Sequence, residues 1–198
     1  AERKATPFGG GTDLMVRYRG YTGTSPQIEG PVLFLDAIEE LHSIRIEGES
    51  LWIGAGATMT EILAFDGMPE LLRRAVALIA APALRNRATL GGNICNASPA
   101  ADSLPPLYVH EAEAVAKSGS GERRLRIAEF LTGLGKTALA PEEILCGVRV
   151  PLLPKAGRLY YRKVGTRRAN ALSKLSAAGF ARLEAGRVAE FRFALGAV

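Results

Sequence analysis

Two glycine-rich stretches contain the residues whose types and spacing could bind an anion. The first is Gly9-Gly10-Gly11-Thr12-Asp13-Leu14, and the second runs from Thr89 to Asp102 with Gly91-Gly92-Asn93 near its start. Consecutive glycines lack Cβ atoms, so their backbone N–H groups can approach a ligand closely and form an anion-binding nest. Two such loops could hold a diphosphate from both sides, and Asp102 could accept hydrogen bonds from sugar hydroxyls. Each loop alone is more typical of a tight turn, but the density of both favours binding.

Other nucleotide and catalytic motifs are incomplete. A dinucleotide fingerprint that began at Gly9 would need glycine or alanine where Leu14 stands. Gly135-Lys136-Thr137 imitates the end of a phosphate-binding P-loop, but the glycine it requires is replaced by Phe130. Nothing in the sequence marks the strand-to-helix turn of a serine hydrolase, and we identify no catalytic residue.

The composition favours an ordinary globular chain. It has 198 residues, is 47% hydrophobic and carries a net charge of +5. The basic residues are scattered, apart from a cluster at Arg162, Lys163, Arg167, Arg168 and Lys174, so we expect attraction for anions or acidic partners rather than nucleic acid. Neither a signal peptide nor a membrane span is predicted. The only cysteines, Cys95 and Cys146, have no metal-binding spacing, and a reducing cytoplasm fits them.

Local patterns predict short strands and helices around these loops. One short strand precedes Gly9, a buried strand covers 32–36, and a hairpin turns at Gly48-Glu49. Thr58 and Glu61 have the spacing of a capping box, which predicts a helix over 59–65, and a second helix runs from Pro69 to Pro82. Further strands are predicted at 113–117, 124–127, 144–150 and from Leu159, with a last hairpin at 184–186. The stretch 85–106 is predicted to be irregular but ordered.

The two loops resemble those of a known family. Gly9 to Leu14 resembles the Ala-Gly-Gly-Thr-Asp-Leu motif of molybdenum-hydroxylase flavin subunits, such as those of xanthine and carbon monoxide dehydrogenases, with Gly9 in place of alanine. Thr89 to Asp102 is similar to the family's second FAD loop. Matching residues continue in the same order at Arg85-Asn86, Gly135-Lys136-Thr137, Pro141 to Leu145, Arg162-Lys163 and Arg167-Arg168.

The resemblance implies an α+β fold. It is the two-subdomain, FAD-binding PCMH-type (vanillyl-alcohol-oxidase-like) fold, followed by a domain of sheet and helices. Residues 1–48 would be a first, N-terminally incomplete FAD-binding subdomain, 49–154 a second, and 155–198 the truncated start of the C-terminal domain.

The resemblance also implies a cofactor, a site and partners. FAD contacts are expected from Pro7, Phe8, Gly9, Gly10, Gly11, Thr12, Asp13, Leu14, Thr89, Leu90, Gly91, Gly92, Asn93, Asp102, Leu145 and Lys163. Ile79 falls where some relatives place an aromatic residue against the flavin. A large subunit with the molybdenum cofactor and a small subunit with 2Fe-2S clusters would be partners, in a dimer of heterotrimers. Electrons would pass from the clusters through FAD to NAD, oxygen or another acceptor.

Two alternatives stay open. The first is a self-contained FAD oxidoreductase of the same superfamily, which would need an acid or base beside the flavin. The second is a docking subunit that has lost flavin, which intact glycine loops argue against.

Overall fold

Strands and short helices alternate along the chain, which is seen as a computed structural model describing residues 5–20, 24–25, 27–167 and 170–198. Residues 1–4 and Arg168, which entered the predictions above, lie outside the described residues. The strands are β1 (Thr6–Phe8), β2 (Val32–Phe34), β3 (Ile44–Glu47), β4 (Ser50–Gly54), β5 (Glu113–Ser118), β6 (Gly121–Arg126), β7 (Leu131–Gly133), β8 (Lys136–Thr137), β9 (Ile144–Pro151), β10 (Arg158–Gly165), β11 (Ser173–Glu184) and β12 (Arg187–Gly196). The helices are α1 (Leu14–Arg17), α2 (Met59–Ala64), α3 (Glu70–Ala77), α4 (Pro82–Arg85), α5 (Leu90–Cys95), α6 (Leu104–Val109) and α7 (Ile127–Phe130).

A five-stranded antiparallel sheet in the order β3-β4-β9-β5-β6 carries the main core. Leu51 and Ile53 of β4 and Val148 of β9 are fully buried against the helices that cover the sheet. The predicted hairpin β3–β4 is confirmed, and β5 and β6, which overlap the strands predicted at 113–117 and 124–127, pair in a second hairpin, because turn residues separate two short strands in both cases.

The helices α2 and α3 follow β4 and cover this sheet. Thr58 and Glu61 form the predicted capping box, with the Thr58 side chain accepting from the Glu61 amide. Leu72 and Val76 of α3 are fully buried, so one face of this helix packs into the main core. The predicted end of this helix at Pro82 is wrong, because α3 ends at Ala77 and Pro82 instead begins α4, at a position where a missing N–H costs nothing.

The irregular stretch predicted over 85–106 is wrong. It contains the whole of α5 and the start of α6. Glycine, asparagine and proline have poor helix propensity, but tertiary packing overrides that preference here. Leu90 and Ile94 of α5 and Leu107 of α6 are fully buried in the main core.

A second sheet, β10-β11-β12, follows the first. It is antiparallel throughout, and the hairpin predicted at 184–186 joins β11 to β12. A small second core of Leu71, Val109, Ala178 and Phe180 holds this sheet against α3 and α6.

The N-terminal segment is a parallel pair, β1 with β2, with α1 between them in sequence. Division of the chain near residues 48 and 154 stays a prediction; β3, which precedes residue 48, pairs with β4 behind it. No helix in the described ranges is long and apolar enough to cross a membrane.

Candidate functional site

A cleft of about 490 Å³ lies between the N-terminal segment and the rest of the molecule. Its polar lining comes from both glycine-rich stretches and from β10. The lining residues that were expected at the site are Pro7, Gly9, Gly10, Gly11, Thr12, Asp13, Leu14, Thr89, Gly92, Asn93, Asp102 and Lys163. Residues separated by more than 150 positions in sequence therefore meet at one ligand-sized space.

Residues 9–14, the first glycine region, present unpaired backbone donors to the cleft. Within the described part of the chain, the amides of Gly9 to Leu14 donate to no protein acceptor. Gly11 has φ +73, and a Cβ at that position would overlap the Phe8 ring. A position with left-handed backbone that lies against an aromatic ring can be occupied only by glycine. The turn at Gly11 leaves the neighbouring N–H groups free to bind a ligand.

Residues 89–102, the second glycine region, have already used their backbone donors where α5 begins. The Leu90 amide donates to Ala57 O at 3.0 Å and the Gly91 amide to Ala55 O at 2.9 Å. The Gly92 amide donates to Thr89 Oγ1 at 3.1 Å, and the Asn93 amide to Thr89 O at 3.0 Å. Because Thr89 Oγ1 only accepts in this N-cap, its hydroxyl proton is available to a ligand.

The two regions pack directly on each other. A Cβ at Gly10 would overlap the carbonyl oxygen of Arg87, so the close approach of the two backbones depends on this glycine. Two side-chain contacts reinforce it: Arg17 donates to Asn96 Oδ1 at 3.1 Å, and Arg87 pairs with Asp36 at 2.7 Å. The glycines thus bring the loops together as well as toward a ligand.

Asp102 and Lys163 form a buried ion pair at the base of the cleft. Lys163 Nζ lies 2.6 Å from Asp102 Oδ2, and the two side chains are only 9% and 7% exposed. Ser173 donates to the other carboxylate oxygen at 2.5 Å. Burial and the neighbouring carboxylate of Asp102 raise the pKa of Tyr161, whose hydroxyl lies 3.5 Å from Asp102 Oδ1. Asp102 is therefore held by protein donors, and the charge of Lys163 is fixed in place.

Lys163 also reaches the end of α3. Its Nζ donates to Leu78 O at 3.0 Å, so one ammonium links β10, Asp102 and the turn after α3. An ammonium has three donors, and these contacts use two of them.

Apolar residues also line the cleft. They include Met59, Ile79, Ala80, Leu84, Ala88 and Cys95. Burial raises the pKa of the Cys95 thiol to about 12, so it stays protonated and acts as a small apolar group. A cleft lined by both polar and apolar groups suits a ligand that joins phosphates to a flat ring system.

The structure brings together most of the residues expected at the site. Four do not line the cleft: Phe8 lies beneath Gly11, Leu90 and Gly91 face the core, and Leu145 is buried in β9. Their roles stay predictions. The partners of Asp102 on β10 and β11, Tyr161 and Ser173, carry no sequence signal and were missed.

This site defines a cofactor-binding protein, and comparison with known families gives the class. Residues 1–153 match the family described as the FAD binding domain in molybdopterin dehydrogenase. The match covers well over half of the 198 residues, so the chain belongs to this family and contains its FAD-binding domain.

Named relatives agree with this family. The chain is 33% identical over 200 residues to the xanthine dehydrogenase FAD-binding subunit of Escherichia coli O157:H7, covering 98% of this chain and 66% of that protein. It is 34% identical over 128 residues to caffeine dehydrogenase subunit beta of Pseudomonas sp. strain CBB1, covering 62% of this chain and 43% of the relative. The chain thus spans less than two thirds of the length of these curated relatives.

Solved structures give the same fold. A carbon monoxide dehydrogenase from Hydrogenophaga pseudoflava that lacks the Mo-pyranopterin moiety superposes with a TM-score of 0.87 at 26% identity, over 98% of this chain and 67% of that one. Quinoline 2-oxidoreductase from Pseudomonas putida 86 superposes with a TM-score of 0.85 at 25% identity, over 98% and 67% of the two chains. The predicted α+β class and the predicted family are confirmed.

The residues of the cleft fit FAD. Unpaired amides of the first glycine region suit a diphosphate, because aligned backbone N–H groups solvate anionic oxygens without a lysine. The apolar wall at Ile79 suits a ring, and the buried Lys163 supplies a cation at the same cleft.

Proposed function

We propose that this chain is the FAD-binding electron-transfer subunit of a molybdenum hydroxylase complex, with FAD in the cleft between the two glycine regions. The observation that carries the proposal is that the unpaired amides of residues 9–14 and the buried Lys163 line the same cleft. Bound FAD would supply the redox chemistry, while the protein binds, orients and tunes it.

The first glycine region provides most of the diphosphate contacts. Amides of Gly9 to Leu14 and the Thr12 hydroxyl are donors without competing protein acceptors in the described chain. The second region contributes the Thr89 hydroxyl and Asn93 at the cleft surface. Leu90, Gly91 and Leu145 support the site from the core, and Phe8 supports it from beneath Gly11.

Lys163 tunes the cofactor. A cation near a flavin ring favours the negative charge that the ring gains when it accepts electrons. The side chain is 9% exposed, so water screens its charge poorly and its effect on a neighbouring ring is larger than at a surface. Asp102 and Leu78 O hold the ammonium in one position, which makes Asp102 a positioning residue for Lys163.

The electron path involves other chains. The relatives are named as a FAD-binding subunit, a subunit beta and a medium chain, which supports a multi-subunit complex. The partners would be a large subunit with the molybdenum cofactor and a small subunit with 2Fe-2S clusters, arranged as a dimer of heterotrimers. The final acceptor would be NAD, oxygen or another oxidant. Free thiols at Cys95 and Cys146 suit a reducing cytoplasm.

Flavin content and potential test the site. The purified full chain is expected to show flavin absorbance bands, and Lys163→Met is expected to lower the flavin reduction potential. Lys155→Met removes an exposed lysine outside the cleft and serves as the control. A protein that stays colourless after reconstitution with FAD would support the flavin-free docking alternative.

Co-expression tests the partnership. The full chain, expressed with its neighbouring genes, is expected to purify with one molybdenum and one iron–sulfur subunit, and the mass of the complex decides its stoichiometry. Alone it is expected to give only slow dye reduction. Turnover of a small organic substrate by the isolated chain at an ordinary rate of about 10 per second would establish the self-contained oxidoreductase instead.

A further inference from the structure

The turn at residues 77–80 forms the wall between two spaces. Ile79 and Ala80 line the cleft. Leu78 lines a second, outer cavity of about 420 Å³, and Lys163 borders both. The position of this short backbone segment therefore decides the shape of the apolar side of the cleft.

The backbone of this turn is strained. Ala80 has φ 48, a left-handed conformation that is unfavourable for a residue with a Cβ atom. Such a conformation persists only where surrounding contacts fix it. The turn also follows the end of α3, where the last helical carbonyls lack partners within the helix and favour cations.

Two cations hold the carbonyls of the turn. Arg85 Nη1 donates to Ile79 O at 2.8 Å and lies 3.3 Å from Ala80 O and 3.5 Å from Ala77 O. Lys163 Nζ takes the remaining one, Leu78 O, at 3.0 Å. Arg85 is the last residue of α4. Its backbone amide donates to Ala81 O within this helix, which fixes the position of the Arg85 backbone.

We propose that Arg85 is a positioning residue for flavin binding. It holds the 77–80 turn in place, with Ala80 in its left-handed conformation, so that Ile79 and Ala80 form the apolar surface against which the flavin packs. Arg85 itself does not line the cleft and acts through the turn. This inference rests on the proposed function, since it requires FAD in the cleft.

The test measures FAD affinity and apo-protein melting temperature in the full chain. Arg85→Ala is expected to raise the FAD dissociation constant roughly tenfold or more, because a charged donor to three carbonyls is lost. Arg85→Lys is expected to fall between wild type and alanine, because lysine keeps the positive charge but its side chain is shorter and its ammonium cannot take the place of Nη1 without a shift. Arg74→Ala is the matched control: it also removes one positive charge, but this arginine is half-exposed and, among the residues that the structure describes, pairs with Glu70 alone.

A second substitution separates positioning from direct electrostatics. Glycine adopts the left-handed conformation without strain, so Ala80→Gly is expected to change FAD affinity little by itself. In the Arg85→Ala background it is expected to recover part of the lost affinity, giving a non-additive cycle. A merely structural arginine would lower apo melting temperature without this recovery.

Two results would overturn the inference. The first is FAD affinity in Arg85→Ala within the range of Arg74→Ala. The second is full additivity of the Arg85→Ala and Ala80→Gly effects. Both results require a wild-type protein that binds FAD. A wild type without measurable FAD binding would instead overturn the proposed function and this inference together, so the two kinds of failure can be told apart. If Arg85→Ala fails to fold, the same test can be made in the lysine background. FAD affinity is then compared between Arg85→Lys and the double variant Arg85→Lys/Ala80→Gly.

Discussion

The first and second glycine regions have similar residues but use their backbones in opposite ways. Both combine glycines with threonine and a following aspartate. The amides of residues 9–14 have no protein acceptor in the described chain, whereas the amides of residues 90–93 are all engaged. A glycine-rich motif therefore has two physical uses, ligand binding and helix initiation, and they are distinguished by whether its backbone amides already donate to protein acceptors.

The difference arises from how each region meets the core. The second region begins α5, whose cap residue Thr89 is buried and whose Leu90 is in the main core. The first region begins α1, which has no buried residue, and its cap residue Asp13 makes no side-chain cap bond. We therefore expect substitutions in the second region to affect folding first, and those in the first region to affect binding first.

Asp102→Ala is expected to have the largest effect, at the end of the second region. Removing the carboxylate leaves the Lys163 ammonium buried without its partner, which costs about 3–5 kcal/mol of unfolding free energy. Urea unfolding of the apo-protein measures this loss, with the exposed Asp66→Ala as control. Adding Lys163→Met should restore much of the stability. An apo stability equal to wild type, with loss of FAD affinity alone, would contradict the structural role of the pair.

Within the second region, Gly91→Ala should destabilise the apo-protein more than Gly92→Ala does. A Cβ at Gly91 would lie 2.6 Å from both Ala55 O and Ala55 Cβ, so overpacking should cost about 1–3 kcal/mol. A Cβ at Gly92 would meet only Thr89 Oγ1 at 3.0 Å, so its cost to the apo-protein should be smaller. Thermal melting of both apo-proteins checks the order, and equal losses would show that α5 shifts as a unit.

Gly10→Ala should affect binding rather than folding. Its Cβ would overlap the Arg87 carbonyl and push the first region off the second, yet no residue of the first region belongs to the main core. The apo melting temperature should stay close to wild type, while FAD affinity falls roughly tenfold, or about 1.4 kcal/mol. Fluorescence titration with FAD measures the affinity. A large drop in apo stability would show that the N-terminal segment and the core unfold together.

The smallest effect should be a pH dependence from His110, which lies behind the second region at the end of α6. Its Nδ1 donates to Pro151 O at 2.7 Å, its Nε2 is buried without a hydrogen-bond partner among the described residues, and burial lowers its pKa. Below about pH 6.5 an unfolded histidine gains a proton that folded His110 resists, so the free energy of unfolding falls by at most about 1.4 kcal/mol per pH unit.

Unfolding between pH 7.5 and 5.5 measures this slope. His110→Gln should flatten it. A slope unchanged by His110→Gln would assign the pH dependence to other groups.

Patterns in the sequence predicted what depends on neighbours along the chain. The capping box at Thr58 and the hairpin turns at Gly48 and Gly121 are local signals, and each is found in the structure. The helix α5 was not predicted, because its stability comes from burying Leu90 and Ile94 rather than from propensity.

The candidate site was predictable in its members but not in its pairing. Resemblance placed Asp102 and Lys163 at the cofactor, yet no pattern indicates that they bind each other across 61 positions. Arg85 likewise gains its role only when α3 and α4 are seen to place its guanidinium at three carbonyls. Long-range contacts such as these follow from the fold as a whole.

The Asp102–Lys163 pair constrains how this chain could be rearranged by recombination. The family match ends at residue 153, between the two partners, so a crossover at that boundary would exchange one member of a buried pair and keep the other. A hybrid would inherit the glycine regions of one parent and the lysine environment of another, including Ser173 and Tyr161. The flavin-binding half is consequently not a portable module, and it must be inherited together with the sheet that follows it.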